Sequence, residues 1–122
     1  MKKLLIYVFL LFAFNSNSIA KETTFSKMLF DKAQSEGKVV VVSSWIKYCT
    51  SCASQMKVLD KAKNDFDNFE YFKFDVTNKD IAELLNVQYQ TTLLIFKNNE
   101  EVYRSIGETS REAIYKAINS SI

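Results

Sequence analysis

The sequence predicts an α/β fold in which a central four-stranded mixed sheet carries helices on both faces. Segments with helical apolar spacing alternate with short strand-like runs, in the order α-β-α-β-α-β-β-α. Residues 39–42 form a β-branched run without polar alternation, as expected for a central strand buried on both faces. Asn98-Asn99 separates the last two strand-like runs as a tight turn. The pattern therefore predicts a parallel βαβ unit followed by an antiparallel hairpin.

The first half of the domain predicts a helix, a strand and a second helix. The apolar stripe of the first helix comprises Phe25, Met28, Leu29 and Ala33. Thr23 or Thr24 is its expected N-cap, and Gly37 is expected to end it. The strand over residues 39–42 leads to a second helix over residues 49–66. The inner stripe of that helix comprises Cys52, Met56, Leu59 and Phe66.

The second half predicts two further helices and three strands. Residues 69–76 alternate as a second strand, with Phe72 and Phe74 set against Tyr71 and Lys73. Asn78 is expected to cap a short helix whose inward residues are Ile81, Leu84 and Leu85. Residues 92–96 and 102–106 are the expected third and fourth strands. After Gly107, Ser110 is the expected cap of a last helix with the apolar face Ala113, Ile114, Ala117 and Ile118.

The first twenty residues are typical of a cleaved secretory signal. Lys2-Lys3 is followed by an apolar core over residues 4–14 and by the small-x-small cleavage site Ser18-Ile19-Ala20. This core is shorter than the roughly 20 apolar residues that span a bilayer, although an uncleaved anchor remains the alternative. We therefore expect a signal peptide over residues 1–20, one domain over residues 21–122, and a periplasmic location, where disulfides persist.

The charge balance excludes some classes of partner. The chain has 16 basic and 14 acidic side chains, and removal of Lys2-Lys3 leaves 14 of each. Nucleic acid or an anionic membrane would call for a basic patch, so we expect neither as a partner.

The only two cysteines, Cys49 and Cys52, lie between a buried strand and a helix. A helix N-terminus stabilises a thiolate through its free N–H groups and dipole. The two-residue spacing lets Cys52 reach back to Cys49 and resolve a mixed disulfide. A structural disulfide and half of a metal site are the alternatives. Zinc needs about four ligands, and a chain without His or further Cys could complete the set only with carboxylates.

Several motifs resemble the thioredoxin-fold family over nearly all of residues 21–122. These motifs are Trp45, Cys49-Thr50-Ser51-Cys52 with the helix after it, and Thr92-Leu93-Leu94-Ile95-Phe96-Lys97-Asn98-Asn99-Glu100. Three further segments are similar to the periplasmic C-terminal domain of DsbD-type proteins, namely Ser35-Glu36-Gly37-Lys38, Phe74-Asp75-Val76-Thr77-Asn78 and Leu84-Leu85-Asn86-Val87. The resemblance implies a thioredoxin-like fold.

The resemblance also implies roles for individual residues. Cys49 would be the attacking nucleophile and Cys52 the buried resolving thiol, and the spacing independently supports both roles. Substrate-binding or site-supporting roles would fall to Trp45, Tyr48, Thr50, Ser51, Gln90 and Thr91. Trp45 as an ordinary core aromatic and Tyr48 as a half-exposed aromatic without function are the alternatives.

Two positions depart from the family pattern. Ser43 stands where many thioredoxins carry a buried Asp that accepts the proton of the resolving thiol. Thr91 stands at the family's cis-proline, in a chain without proline. In the family this loop pairs with the substrate backbone. We expect the Gln90-Thr91 bond to be cis, because the flanking strand and hairpin follow the family closely.

The sequence thus predicts an exported thiol–disulfide oxidoreductase that reduces protein disulfides through Cys49 and Cys52, with no cofactor and no metal. The expected partners are protein disulfides and a membrane electron donor of the DsbD/CcdA type, and the chain is expected to be a monomer. One alternative is the same pair run as an oxidant. The other is a thioredoxin-like module that is non-catalytic or binds a metal or iron–sulfur cluster.

Overall fold

The structure, a computed structural model, describes residues 23–122, so the predicted signal peptide lies outside the described residues. The elements in this range are α1 (Lys27–Ser35), β1 (Val39–Trp45), α2 (Thr50–Asp65), β2 (Phe69–Asp75), α3 (Lys79–Leu85), β3 (Thr92–Lys97), β4 (Glu100–Ile106) and α4 (Arg111–Ser121). The predicted order of helices and strands is confirmed. None of the helices in this range is long and apolar enough to cross a membrane.

The four strands form one mixed sheet in the order β2-β1-β3-β4. Strand β1 pairs in parallel with β2, from Val39 opposite Phe69 to Trp45 opposite Asp75. On its other side β1 pairs antiparallel with β3, and β3 pairs antiparallel with β4. The hairpin turns at Asn98 and Asn99, which both have positive φ, as a tight type I′ turn requires. The predicted βαβ unit and hairpin are confirmed.

Helices cover both faces of the sheet and enclose two hydrophobic clusters. Val40 and Val42 of β1 belong to the cluster that includes residues of α1 and α3. Val39 and Val41 belong to the cluster that includes residues of α2 and α4. Successive strand residues point to opposite faces, so the uninterrupted valine run supplies both clusters. Tyr71 is buried in the second cluster, although the sequence pattern grouped it with the polar side of β2.

The start of the domain differs from the expectation. Lys73 donates its backbone N–H to Thr23 and accepts one from Phe25, so residues 23–25 run extended along the outer side of β2. The expected cap at Thr23 or Thr24 is therefore wrong. The N-cap is Ser26, whose hydroxyl accepts from the N–H of Leu29.

Three details of the helical stripes also differ. Met28 is 75% exposed and Leu84 is 51% exposed, so neither faces the core as expected. In α2 the fully buried stripe passes through Gln55 and Ala62, while Met56 and Phe66 are only partly buried. The expected caps at Asn78 and Ser110 are confirmed by hydrogen bonds from the N–H groups of Ile81 and Ala113.

Candidate active site

Cys49 and Cys52 form a disulfide at the start of α2, with their Cα atoms 5.3 Å apart. Strand β1 ends at Trp45, and the chain turns through Tyr48, which has a φ of 63°. Cys49 is the N-cap of α2, and its sulfur accepts the N–H of Cys52 at 3.2 Å. The sulfur thus lies at the positive end of the helix, where a thiolate would be stabilised.

The two cysteines differ in their access to solvent. Cys49 is partly exposed, whereas only 1% of Cys52 is accessible. A disulfide in another protein can therefore approach the Cys49 sulfur but not that of Cys52. This asymmetry is the one required if Cys49 attacks and Cys52 resolves.

Thr91, on the loop before β3, is 3% exposed and lies against the disulfide. Throughout residues 23–122 the peptide bonds are trans, so the expected cis bond before Thr91 is wrong. Thr91 instead has a φ of 58°. A left-handed residue costs about 1–2 kcal/mol, against about 2.5–4 kcal/mol for a cis bond before a residue other than proline. The less costly of the two conformations brings this loop to the sulfurs.

Three hydrogen bonds hold the Thr91 backbone in this conformation. Its N–H donates to the Ser44 carbonyl at 2.9 Å, and its own carbonyl accepts the Gly107 N–H at 2.8 Å. The side-chain amide of Gln55 also donates to the Thr91 carbonyl, at 3.3 Å. The loop is therefore anchored to β1, to α2 and to the segment after β4.

The Thr91 hydroxyl contacts both sulfurs and a second hydroxyl. Its Oγ1 lies 3.2 Å from Cys52 Sγ, 3.6 Å from Cys49 Sγ and 3.0 Å from Ser51 Oγ. Ser51 Oγ is also 3.3 Å from Cys49 Sγ. Four of the eight residues predicted for the site thus meet at one point.

The other four predicted site residues do not take part in these contacts. Tyr48, Thr50 and Gln90 are exposed, and Trp45 is partly buried, with its carbonyl accepting the Val76 N–H. Within residues 23–122, no side-chain hydrogen bond joins any of these four to the sulfurs. Their predicted roles in substrate binding remain predictions.

The sequence reasoning missed Gln55, which is fully buried beside the site. Its amide donates to the carbonyls of Thr91 and Glu108, and its Oε1 has no hydrogen-bond partner within the described range. Gln55 lies three residues after Cys52 and four before Leu59, which is the spacing of the inner stripe of α2. The sequence could have indicated a role for Gln55, because this polar residue stands at an apolar position of the stripe.

Ser43, which the resemblance places where many thioredoxins carry a buried Asp, is itself fully buried. Its Oγ lies 2.9 Å from the Tyr71 hydroxyl. Burial raises the pKa of Tyr71 far above its usual value, so the phenol stays protonated near neutral pH. Neither member of this pair can serve as a base for the Cys52 thiol.

Within residues 23–122, no group of three or more His, Cys, Asp or Glu residues is arranged to hold a metal ion. The chemistry that the site supports is disulfide exchange. An accessible sulfur at a helix N-terminus can form a mixed disulfide, and a buried neighbour can displace the bound sulfur.

Comparison of the chain with known proteins identifies its family. The sequence model described as thioredoxin matches residues 18–120. The chain is 32% identical to thioredoxin-1 of Saccharomyces cerevisiae over 90 residues, which cover 73% of this chain and 86% of that protein. It is 30% identical to a thioredoxin of Bacillus subtilis over 95 residues, which cover 76% of this chain and 90% of that protein.

Solved structures agree with the sequence matches. The protein Trxlp of Edwardsiella tarda matches with a TM-score of 0.72 and 31% identity, over 78% of this chain and 95% of that one. A thioredoxin mutant of Halobacterium salinarum matches at a TM-score of 0.72 and 22% identity, which shows the fold alone. The chain therefore belongs to the thioredoxin family, and it is a thiol–disulfide oxidoreductase, specifically a protein-disulfide reductase.

Proposed function

We propose that this member of the thioredoxin family is exported to the periplasm and reduces protein disulfides there with electrons from a membrane donor of the DsbD/CcdA type. The observation that carries the reductase activity is the Cys49–Cys52 disulfide, with one accessible and one buried sulfur at the start of α2. Export and the donor rest on other features of the chain.

The N-terminal sequence supports export. Lys2-Lys3, the apolar core over residues 4–14 and Ser18-Ile19-Ala20 form the three consecutive parts of a secretory signal. The thioredoxin match begins at residue 18, so almost all of this segment lies outside the family domain. The paired residues 23–25 follow closely after the proposed cleavage site at Ala20.

The compartment is the reason for proposing a donor. A dithiol in an oxidising periplasm becomes a disulfide, so a reductase there must be reduced again after each turnover. The segments around residues 35–38, 74–78 and 84–87 are similar to DsbD-type domains, which favours a donor of that type. The partly exposed Cys49 sulfur could accept electrons from the donor by the same exchange that it performs on clients.

Export is tested by expressing the full chain in a bacterial host and sequencing the N-terminus of the protein released from the periplasm. We expect a mature chain that begins at Lys21. Leu10→Arg, which places a charge in the apolar core, is the matched control and should leave the precursor inside the cell. Uncleaved wild-type chain in the membrane fraction would establish an anchor instead.

The donor and the direction are tested by trapping free thiols in cells with a mass-adding maleimide. We expect Cys49 and Cys52 to be reduced in cells that contain the donor and joined in a disulfide in cells that lack it. A reduction potential of about −270 mV would indicate a reductant, and one of about −120 mV would indicate the oxidant alternative. A pair that is oxidised in both strains would refute the donor.

The roles of the two cysteines give a further prediction. Cys52→Ser should accumulate long-lived mixed disulfides with clients, because Cys49 can attack but nothing displaces the client. Cys49→Ser is the matched control and should trap none, since Cys52 is 1% exposed. Gel electrophoresis without reductant measures both, and trapping by Cys49→Ser alone would reverse the roles.

A further inference from the structure

Resolution of the mixed disulfide requires the Cys52 thiol to lose its proton inside the protein. The thiolate is the nucleophile, and burial disfavours the charged form. In the part of the chain that the structure describes, no carboxylate hydrogen bonds to either sulfur. Ser43 and Tyr71 are bonded to each other and cannot take the proton. The proton must leave by another route.

Among residues 23–122, the Thr91 hydroxyl is the side-chain hydrogen-bonding group that lies within reach of Cys52 Sγ, at 3.2 Å. That hydroxyl lies 3.0 Å from the hydroxyl of Ser51, which is exposed to solvent. Cys52 and Thr91 are buried, at 1% and 3% exposure. Two hydroxyls in series thus connect the buried sulfur to water.

We propose that Thr91 and Ser51 form a proton relay that carries the Cys52 proton to solvent during resolution and replaces the absent carboxylate. The proposal rests on the exchange chemistry of Cys49 and Cys52 and is independent of export or of the donor. It gives Thr91 a catalytic role, because its hydroxyl touches the reacting sulfurs. Ser51 acts on Cys52 through Thr91.

The Cys52 S–H bond breaks, and its proton passes to Thr91 Oγ1 while Thr91 gives its own proton to Ser51 Oγ. Ser51 in turn gives its proton to water. The electron pair left on Cys52 forms the Cys49–Cys52 bond, and the bond between Cys49 and the client sulfur breaks. The client leaves as a thiolate that takes a proton from solvent, so the cysteine pair is oxidised by two electrons and the client disulfide is reduced.

The backbone geometry explains how the hydroxyl is held in place. The bonds from Thr91 N–H to Ser44 and from Gly107 and Gln55 to the Thr91 carbonyl hold the residue on both sides of its Cα atom. In this conformation, with φ at 58°, the Thr91 hydroxyl lies within hydrogen-bond distance of the Cys52 sulfur. A relay needs donor and acceptor at hydrogen-bond distance before the reaction begins, and this loop supplies that arrangement.

The test follows the two thiols separately with a small disulfide, dithiobis(nitrobenzoate), added to the fully reduced protein in a stopped-flow instrument. Attack by Cys49 releases the first nitrothiolate, and displacement by Cys52 releases the second. Thr91→Val keeps the β-branched shape and deletes the hydroxyl, whereas Thr91→Ser keeps the hydroxyl. We expect the second phase to slow about 10- to 100-fold in Thr91→Val and to stay within about threefold of wild type in Thr91→Ser.

Ser51→Ala is the companion variant, because a substitution at an exposed position leaves folding intact. We expect it to slow the second phase by about threefold or more. An unchanged second phase in either hydroxyl-deleting variant overturns the proposal. Thr91→Ser as slow as Thr91→Val also overturns it, because shape and not the hydroxyl would then matter. Absence of the first phase in wild-type protein would instead contradict the reductase activity itself.

Discussion

Replacement of Thr91 by proline tests the loop conformation directly. Proline is the residue that the wider family carries here, and a loop with the family's isomer would accept it and become more stable. In this structure Thr91 has a φ of 58°, and its N–H donates to the Ser44 carbonyl at 2.9 Å. Proline has no N–H and holds φ near about −65°. We therefore expect Thr91→Pro to destabilise the fold.

The expected loss in the free energy of unfolding follows from the hydrogen bond of the Thr91 N–H and from the positive φ of this residue. The Ser44 carbonyl is buried, and leaving it without a donor costs about 1–3 kcal/mol. Forcing the residue out of the conformation that its neighbours impose costs a further 1–3 kcal/mol, approximately. Together the free energy of unfolding should fall by about 2–6 kcal/mol. For a domain of this size the melting temperature should drop by at least about 8 °C.

Thermal unfolding followed by circular dichroism measures the effect. Thr91→Gly is the matched control, because glycine keeps the N–H and adopts a positive φ without strain. It should lie within about 1 kcal/mol of wild type, since relief of strain offsets the lost hydroxyl contacts and the added chain entropy. A proline variant that melts above wild type would refute the trans loop and the reasoning built on it.

Three other substitutions test the roles of Tyr71, Thr77 and Tyr48. Tyr71→Phe should lower the free energy of unfolding by about 1–2 kcal/mol in a urea titration, because the buried Ser43 hydroxyl loses its partner, and an unchanged midpoint would contradict that bond. Thr77 donates its N–H and O–H to Asp75 and lowers the pKa of that carboxyl, so the contribution of Asp75 to stability is present above its unfolded pKa and lost as pH falls through the folded value. Thr77→Val should raise that pKa towards its usual value in an NMR titration; no rise would show that the N–H alone sets it. Tyr48→Gly should relieve the positive φ at an exposed position and slow reduction of protein disulfides but not of a small disulfide, and equal effects on both would remove its role in client contact.

The parts of the fold that could be predicted from sequence depend on local patterns. Helical spacing, the uninterrupted valine run and Asn98-Asn99 each act over a few residues, and the structure confirms the elements that they predicted. The caps at Asn78 and Ser110 are local in the same sense. The N-cap of α1 was misplaced because Thr23 is engaged by Lys73, a contact between residues far apart in the chain.

The same distinction between local and long-range contacts applies to the site. The Cys49–Cys52 spacing is local, so the disulfide could be expected from sequence. Gln55 reaches Thr91 and Glu108 across 36 and 53 residues. The conformation of Thr91 depends on partners in β1, in α2 and in the segment after β4, so neither its φ nor its contact with Cys52 could be predicted from neighbouring residues. Family resemblance suggested the correct location for this loop but the wrong backbone geometry.

The segment at residues 23–25 has a consequence for self-association. Strand edges with free N–H and C=O groups invite pairing with other chains, and continuous filaments require two such edges on every copy. Here the chain's own backbone pairs with the outer side of β2 at Lys73, and β4 is the other outer strand. A strand from another chain could pair along the whole of β2 only by displacing residues 23–25, so the short N-terminal segment makes pairing at this edge more costly.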